Sequence, residues 1–219
     1  MKKVFKLILI IIFLAFLFIV GRTVRNFMIV SDLQNKIMKY NKLDSYYKKI
    51  VNKDLSNNST VTSEVYRNSD RELLVITANR DGDLIKTSIY KKNKVYNVYT
   101  EHNGEKEAEL DANTSIEQSG FYNTLESNSK LATFTSSFPA TIRSKTVNGK
   151  DCYEIENYFG TMTMYEEGKN VVYVEKDTGL LVEMQTPSVV SDYSYDFDYV
   201  KDSVFREPDI SEYNVKGEN

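Results

Sequence analysis

Leu7–Val20, fourteen consecutive apolar residues (LILIIIFLAFLFIV), constrains this chain more than any other stretch. Fourteen helical residues reach only about 21 Å, against a hydrocarbon core of about 30 Å. The run lengthens to about the twenty residues a crossing needs if Val4 and Phe5 join it on one side and Gly21, Thr23 and Val24 on the other. That requires Lys6 to lift its ammonium to the headgroups. A cleaved export signal is the alternative, yet Phe18-Ile19-Val20-Gly21 lacks a small-x-small exit. The expectation is an uncleaved, single-pass signal anchor over residues 1–30. Lys2, Lys3 and Lys6 precede the run and Arg22 and Arg25 follow it. That bias predicts a cytoplasmic N-terminus and an extracytoplasmic remainder at the cell membrane.

Residues 1–30 hold five basic residues and no acid, so the rest of the chain carries all of the negative balance. An acidic exterior domain is repelled by phosphate, which argues against nucleic acid as a partner. Sixteen tyrosines and eleven phenylalanines with only three prolines describe an ordered, strand-leaning chain. One cysteine, Cys152, forms no internal disulfide, and a buried thiol is expected.

Ser31–Lys53 reads as an amphipathic helix packing on a following sheet, with Leu33, Ile37, Tyr40, Leu43, Tyr47, Ile50 and Val51 on one stripe. It starts either at a Ser31/Gln34 capping box or as a continuation of the anchor, and a self-associating coiled coil is the alternative use of the stripe. Asp54–Thr60 is polar and turn-rich. From residue 54 to 219 an extracytoplasmic antiparallel domain is expected. Strands are predicted at Thr62–Arg67, Glu72–Asn79, Leu84–Tyr90 and Val95–Thr100, punctuated by Asp81-Gly82, Lys91–Lys94 and Asn103-Gly104. Asn113–Ser127 predicts a second helix with Ile116, Phe121, Tyr122 and Leu125 inward. Further strands follow at Ala140–Val147, Cys152–Tyr158, Thr161–Tyr165, Val171–Lys176, Leu181–Gln185 and Asp192–Val200. In the last, Tyr193, Tyr195, Phe197 and Tyr199 alternate with Asp192, Ser194, Asp196 and Asp198. Four aromatics on one face cover a core or line a cavity.

Catalytic sets are scarce. A single histidine (His102, in the charged tip Glu101–Glu109) and a single cysteine leave no zinc set and no nucleophile–histidine pair. Nine glycines form no phosphate loop, and no cofactor is implied. Asp196 and Asp198, about 6–7 Å apart if both lie on one strand face, are the one carboxylate pair worth placing. Acids at alternate positions also describe a solvated face. A non-enzyme is expected.

Three stretches together resemble the bacterial outer-membrane lipoprotein-carrier superfamily, in a membrane-anchored form. Gly149-Lys150-Asp151-Cys152-Tyr153-Glu154-Ile155 is similar to its "G-x-x-x-Y-x-I" strand. Tyr173-Val174-Glu175-Lys176-Asp177-Thr178-Gly179-Leu180-Leu181 is similar to its "wv-D-x-x-T-G-L" strand-turn-strand. Tyr199-Val200 through Val204-Phe205-Arg206-Glu207-Pro208 is similar to its closing "F-x-x-P" segment. The resemblance spans roughly Lys36–Tyr213. It implies an α+β fold: a curved antiparallel sheet, an incomplete barrel, whose concave side is covered by helices over an apolar cavity that takes acyl chains. Alternation nominates Leu43, Tyr47, Phe121, Tyr173, Tyr193, Tyr195, Phe197 and Tyr199 for the cavity wall. Lipid or lipoprotein acyl chains are then the expected ligand; an envelope interaction or scaffold protein without a ligand is the alternative. An anchor departs from the family's diffusing carriers and would confine any such binding to the membrane.

Overall fold

The computed structural model describes residues 2–116, 130–156 and 170–216. The architecture is α+β, as predicted. In chain order, helix α1 (Lys2–Ile37) leads through a short 3-10 turn (Tyr40–Lys42) into strands β1 (Ser45–Asp54), β2 (Thr60–Asn68), β3 (Arg71–Arg80), β4 (Asp83–Lys92), β5 (Val95–His102) and β6 (Glu105–Glu109). Helix α2 (Lys130–Ser137) precedes β7 (Thr141–Val147), β8 (Lys150–Glu156), β9 (Val171–Glu175), β10 (Leu181–Gln185), β11 (Val189–Asp196) and β12 (Asn214–Lys216). Every described pairing is antiparallel except β12 on β6, and the strands form an open sheet, not a closed barrel.

Two compact units emerge, residues 1–38 with 123–181, and residues 39–122 with 182–219. In the first, α1 is one unbroken helix. The large apolar side chains from Val4 to Val20 are 39–72 % exposed, whereas Thr23, Asn26, Val30, Leu33 and Ile37 are at most 3 % exposed. Those five recur at steps of three and four, so the buried stripe begins where the apolar run stops. Asn26 Nδ2 donates to the carbonyls of Ser137 (3.3 Å) and Ala140 (2.8 Å), and Phe27 meets Phe134 edge-on at 5.7 Å. The β9–β10 turn closes on α1 at Gly179, whose φ is +75°. A Cβ there would stand 2.5 Å from the Leu33 carbonyl oxygen, so only glycine fits on both counts. Cys152 is fully buried, as expected, and burial pushes its thiol pKa up.

In the second unit, β1 is flanked by β2 and β11, and the order runs β12-β6-β5-β4-β3-β2-β1-β11-β10. The predicted turns hold: Asp81-Gly82 and Asn103-Gly104 have both residues at positive φ, as does Asn93-Lys94 within Lys91–Lys94. At the far edge Tyr90, Tyr99 and Tyr213 pack edge to face at 5.6 and 5.1 Å. The Tyr99 hydroxyl donates to Glu207 (2.7 Å) and that of Tyr213 to Glu101 (2.5 Å), which seats the C-terminal segment on β5.

Three expectations are corrected. The Ser31–Lys53 helix ends at Ile37, and Ser45–Asp54 is strand β1. The doublets Tyr46-Tyr47 and Ile50-Val51, four residues apart, suit one helical face and equally both faces of a strand. Pairing with β2 and β11 on both sides decides for the strand. Second, Asp192–Val200 is a strand only to Asp196. The carboxylate of Asp196 accepts from the Asp198 N–H (2.9 Å) and turns the chain. Third, Asp196 and Asp198 are therefore not two positions on one strand face. Of the predicted Asn113–Ser127 helix, residues 113–116 are not helical. Its remainder, the Thr161–Tyr165 strand and the end of Cys152–Tyr158 lie outside the described residues.

Candidate functional site

The predicted wall residues fall into separate groups. Leu43, half-buried, closes the 3-10 turn by donating its N–H to the Tyr40 carbonyl (3.1 Å). Tyr173 belongs to the first unit. It is 4 % exposed, and Lys145 Nζ donates to its hydroxyl (3.1 Å) while lying 4.7 Å from its ring centroid. The ammonium is thus seated against the ring as well as its hydroxyl. Phe121 lies outside the described residues.

The others gather around the end of β11 in the second unit. Tyr193 and Tyr195 are half-buried, while Asp192, Ser194 and Asp196 between them are exposed, so the predicted alternation holds to the strand's end. Burial pushes the Tyr193 phenol up to about 12. Beyond the strand, Phe197 folds back so that its ring stacks on Tyr195 (6.2 Å between centroids, 6° between planes) and meets Tyr40 at 4.7 Å. Phe197 is 38 % exposed and Tyr199 66 %. The result is a three-ring aromatic platform, Tyr40–Phe197–Tyr195.

On the other face of β11, the one that carries Asp196, is an open pocket of about 280 Å³ lined by Tyr47, Tyr66, Asp196, Asp198, Tyr199, Val200, Lys201 and Val204. Tyr47 stands on β1 opposite Asp196 on β11 and Tyr66 on β2, and its ring is 4.8 Å from that of Tyr66. Its hydroxyl donates to Glu64 Oε1 at 2.5 Å; burial first and the carboxylate second hold the phenol well above its ordinary pKa. A neutral phenol locked as a donor orients a ring and offers no base. The pocket brings phenols and carboxylates together without a nucleophile beside a general base. Among the described residues, no group of three metal-ligating side chains converges. His102 Nε2 lies 2.9 Å from Asp83 Oδ1, bridging β5 to β4 in the exposed tip.

Sequence reading missed Tyr40, Tyr66 and Glu64 as members of this region. Tyr40 was legible only as a helical-stripe position, and Tyr66 and Glu64 become neighbours of Tyr47 only once β1 pairs with β2.

No protein-family model and no curated protein matches the sequence. Among solved structures, the chain is similar to LprF from Mycobacterium bovis, at 12 % identity and a TM-score of 0.40, over 77 % of this chain and 91 % of that one. A DUF1329 family protein from Desulfovibrio piger matches at 13 % identity and a TM-score of 0.33, over 84 % and 97 %. The Pseudomonas aeruginosa MucA/MucB complex matches at 11 % identity and a TM-score of 0.39, over 85 % of this chain and 62 % of that one. Likeness at this level assigns neither a family nor a ligand.

Proposed function

We propose that the protein is a non-catalytic envelope domain, anchored in the bilayer by α1, that binds lipid or lipoprotein acyl chains against its aromatic surface. The observation that carries this reading is the continuity of α1. Its first half leaves 39–72 % of each large apolar side chain uncovered, which water would penalise and a bilayer rewards. Its second half buries one stripe, Thr23, Asn26, Val30, Leu33 and Ile37, in the folded unit with no break between. A domain joined so directly to a spanning helix works at the membrane surface. The platform Tyr40–Phe197–Tyr195, in which Phe197 is 38 % exposed, supplies apolar ring surface, and each methylene laid on such a surface contributes up to about 0.8 kcal/mol.

Cross-linking the full chain in nanodiscs with a diazirine-bearing fatty acid tests this. Label is expected on the peptide containing Tyr193–Tyr199 as well as on the anchor. A Phe197→Asp variant is expected to lose the first and keep the second. Label confined to residues 4–30, or unchanged in the variant, defeats the acyl-binding reading.

A second reading, an interaction or scaffold domain with no lipid ligand, draws on the exposure of Phe197 and Tyr199. Exposed rings set in a loop equally suit contact with a protein. Under that reading Tyr199→Ala and Phe197→Asp change association with envelope proteins and leave fatty-acid labelling untouched.

A further inference from the structure

The first unit holds a pocket of about 530 Å³ where α1 meets the start of β7. Its lining includes Leu17, Phe18, Gly21, Arg22 and Arg25 from the helix and, beside Thr141 and Ile142, Arg143 from the strand. Residues 18, 21, 22 and 25 stand at i, i+3, i+4 and i+7, one face of the helix. Gly21 forms the gap in that face, since a Cβ built there meets nothing within 4 Å. The Arg22 guanidinium is held in place, donating to the Ala140 carbonyl (2.7 Å) and to Thr141 Oγ1 (2.9 Å). Arg143 is 63 % exposed at its side chain, with Glu154 and Glu156 on β8 at 3.7 and 3.6 Å. Arg25 has no hydrogen bond or ion pair among the described residues. Three guanidiniums thus face one pocket, and no acid lines it.

Its place along α1 is the second observation. Val4 to Gly21 rises about 26 Å along the helix, close to the thickness of a bilayer's hydrocarbon core. The helix arginines follow within the next turn; with α1 crossing as proposed above, they would stand at the level of lipid phosphates, and Leu17 and Phe18 would continue the wall down into the acyl region.

We propose that this pocket is a headgroup site for an anionic glycerophospholipid of the leaflet that the folded unit faces. The phosphodiester sits among Arg22, Arg25 and Arg143, and its chains run down beside Leu17 and Phe18. Planar guanidiniums match phosphate oxygens in pairs. A headgroup bearing an ammonium would place that cation against the same arginines, so a phosphatidylglycerol-type lipid is the fitting occupant. The inference rests on Val4–Val20 crossing the bilayer, as proposed above, and is independent of acyl binding at Tyr193–Tyr199. Its effect would be to fix the anchor's depth and rotation.

Native mass spectrometry of the full chain released from detergent, titrated with phosphatidylglycerol or phosphatidylcholine, tests the site. The wild type is expected to retain one phosphatidylglycerol at least about tenfold more readily than phosphatidylcholine. Gly21→Leu fills the gap without touching a charge and favours the helix, so it keeps the fold. Both Gly21→Leu and Arg25→Gln are expected to cut that preference about fivefold or more. Unchanged preference in both variants overturns the site, as does displacement of the retained lipid by inorganic phosphate alone, which marks a soluble-anion site. Alkaline carbonate extraction of membranes, run in parallel, separates the two proposals. A chain that stays in the membrane while the variants behave as wild type defeats the pocket alone, and one that is extracted defeats the anchor as well.

Discussion

Replacing Lys48 by methionine should make the protein more stable, with a gain that disappears as the pH rises. Lys48 lies on β1 between Val65 of β2 and Tyr195 of β11, and it is 3 % exposed. Removal from water lowers its pKa from the usual 10.5 to about 8. That depression corresponds to about 3 kcal/mol of penalty on the folded state wherever both folded and unfolded lysines are charged, that is, below pH 8. Between pH 8 and 10.5 the folded protein has released the proton and the unfolded chain still holds it. The unfolded state binds more protons, so wild-type stability rises through this window. Methionine keeps the length and apolar stem of the side chain and removes the charge. It forfeits the contacts of the ammonium, which brings the expected gain at neutral pH to about 1–3 kcal/mol. Thermal or denaturant unfolding of the full chain in detergent, followed by far-ultraviolet circular dichroism from about pH 7 to pH 10, reads both quantities. A loss of stability in Lys48→Met at neutral pH, or a wild-type profile flat from pH 8 to 10, would refute the reasoning.

Further outcomes follow from other parts of the structure. Tyr47, Tyr99 and Tyr213 have phenols raised by burial first and then by Glu64, Glu207 and Glu101, so the unfolded chain loses those protons first as the solution becomes alkaline. Stability should therefore fall above about pH 10, and phenolate absorbance should show a late-titrating group that ionises only on unfolding. Gly179→Ala combines a positive φ with a Cβ 2.5 Å from the Leu33 carbonyl oxygen. A loss of about 2–4 kcal/mol is expected, together with faster proteolysis of the Gly21–Ile37 half of α1; wild-type behaviour would mean that the turn and helix do not meet as described. Asn26→Leu strips the side-chain donor from the carbonyls of Ser137 and Ala140, and should cost about 1–3 kcal/mol in thermal unfolding.

The hairpins were legible because their information is local. Asp81-Gly82 and Asn103-Gly104 demand left-handed backbone, and alternation on either side sets the flanking strands within a residue or two. Tyr193 and Tyr195 were likewise legible as one side of a strand. Phe197 and Tyr199 were not, because alternation cannot register that Asp196 caps a turn. Nor did period alone separate helix from strand at Tyr46–Val51.

Patterning within the chain determined the apolar helix, the succession of turns, the buried cysteine and the α+β class, since each depends on residues a few positions apart. Only the tertiary structure decided that β1 is a strand, that Tyr47 meets Glu64, that Gly179 must admit the backbone of Leu33, and that Arg143 joins Arg22 and Arg25 across more than a hundred residues. The physical reason is that sheet pairing, close packing and charge convergence are properties of backbones brought together from afar, and no local period encodes which distant segment arrives.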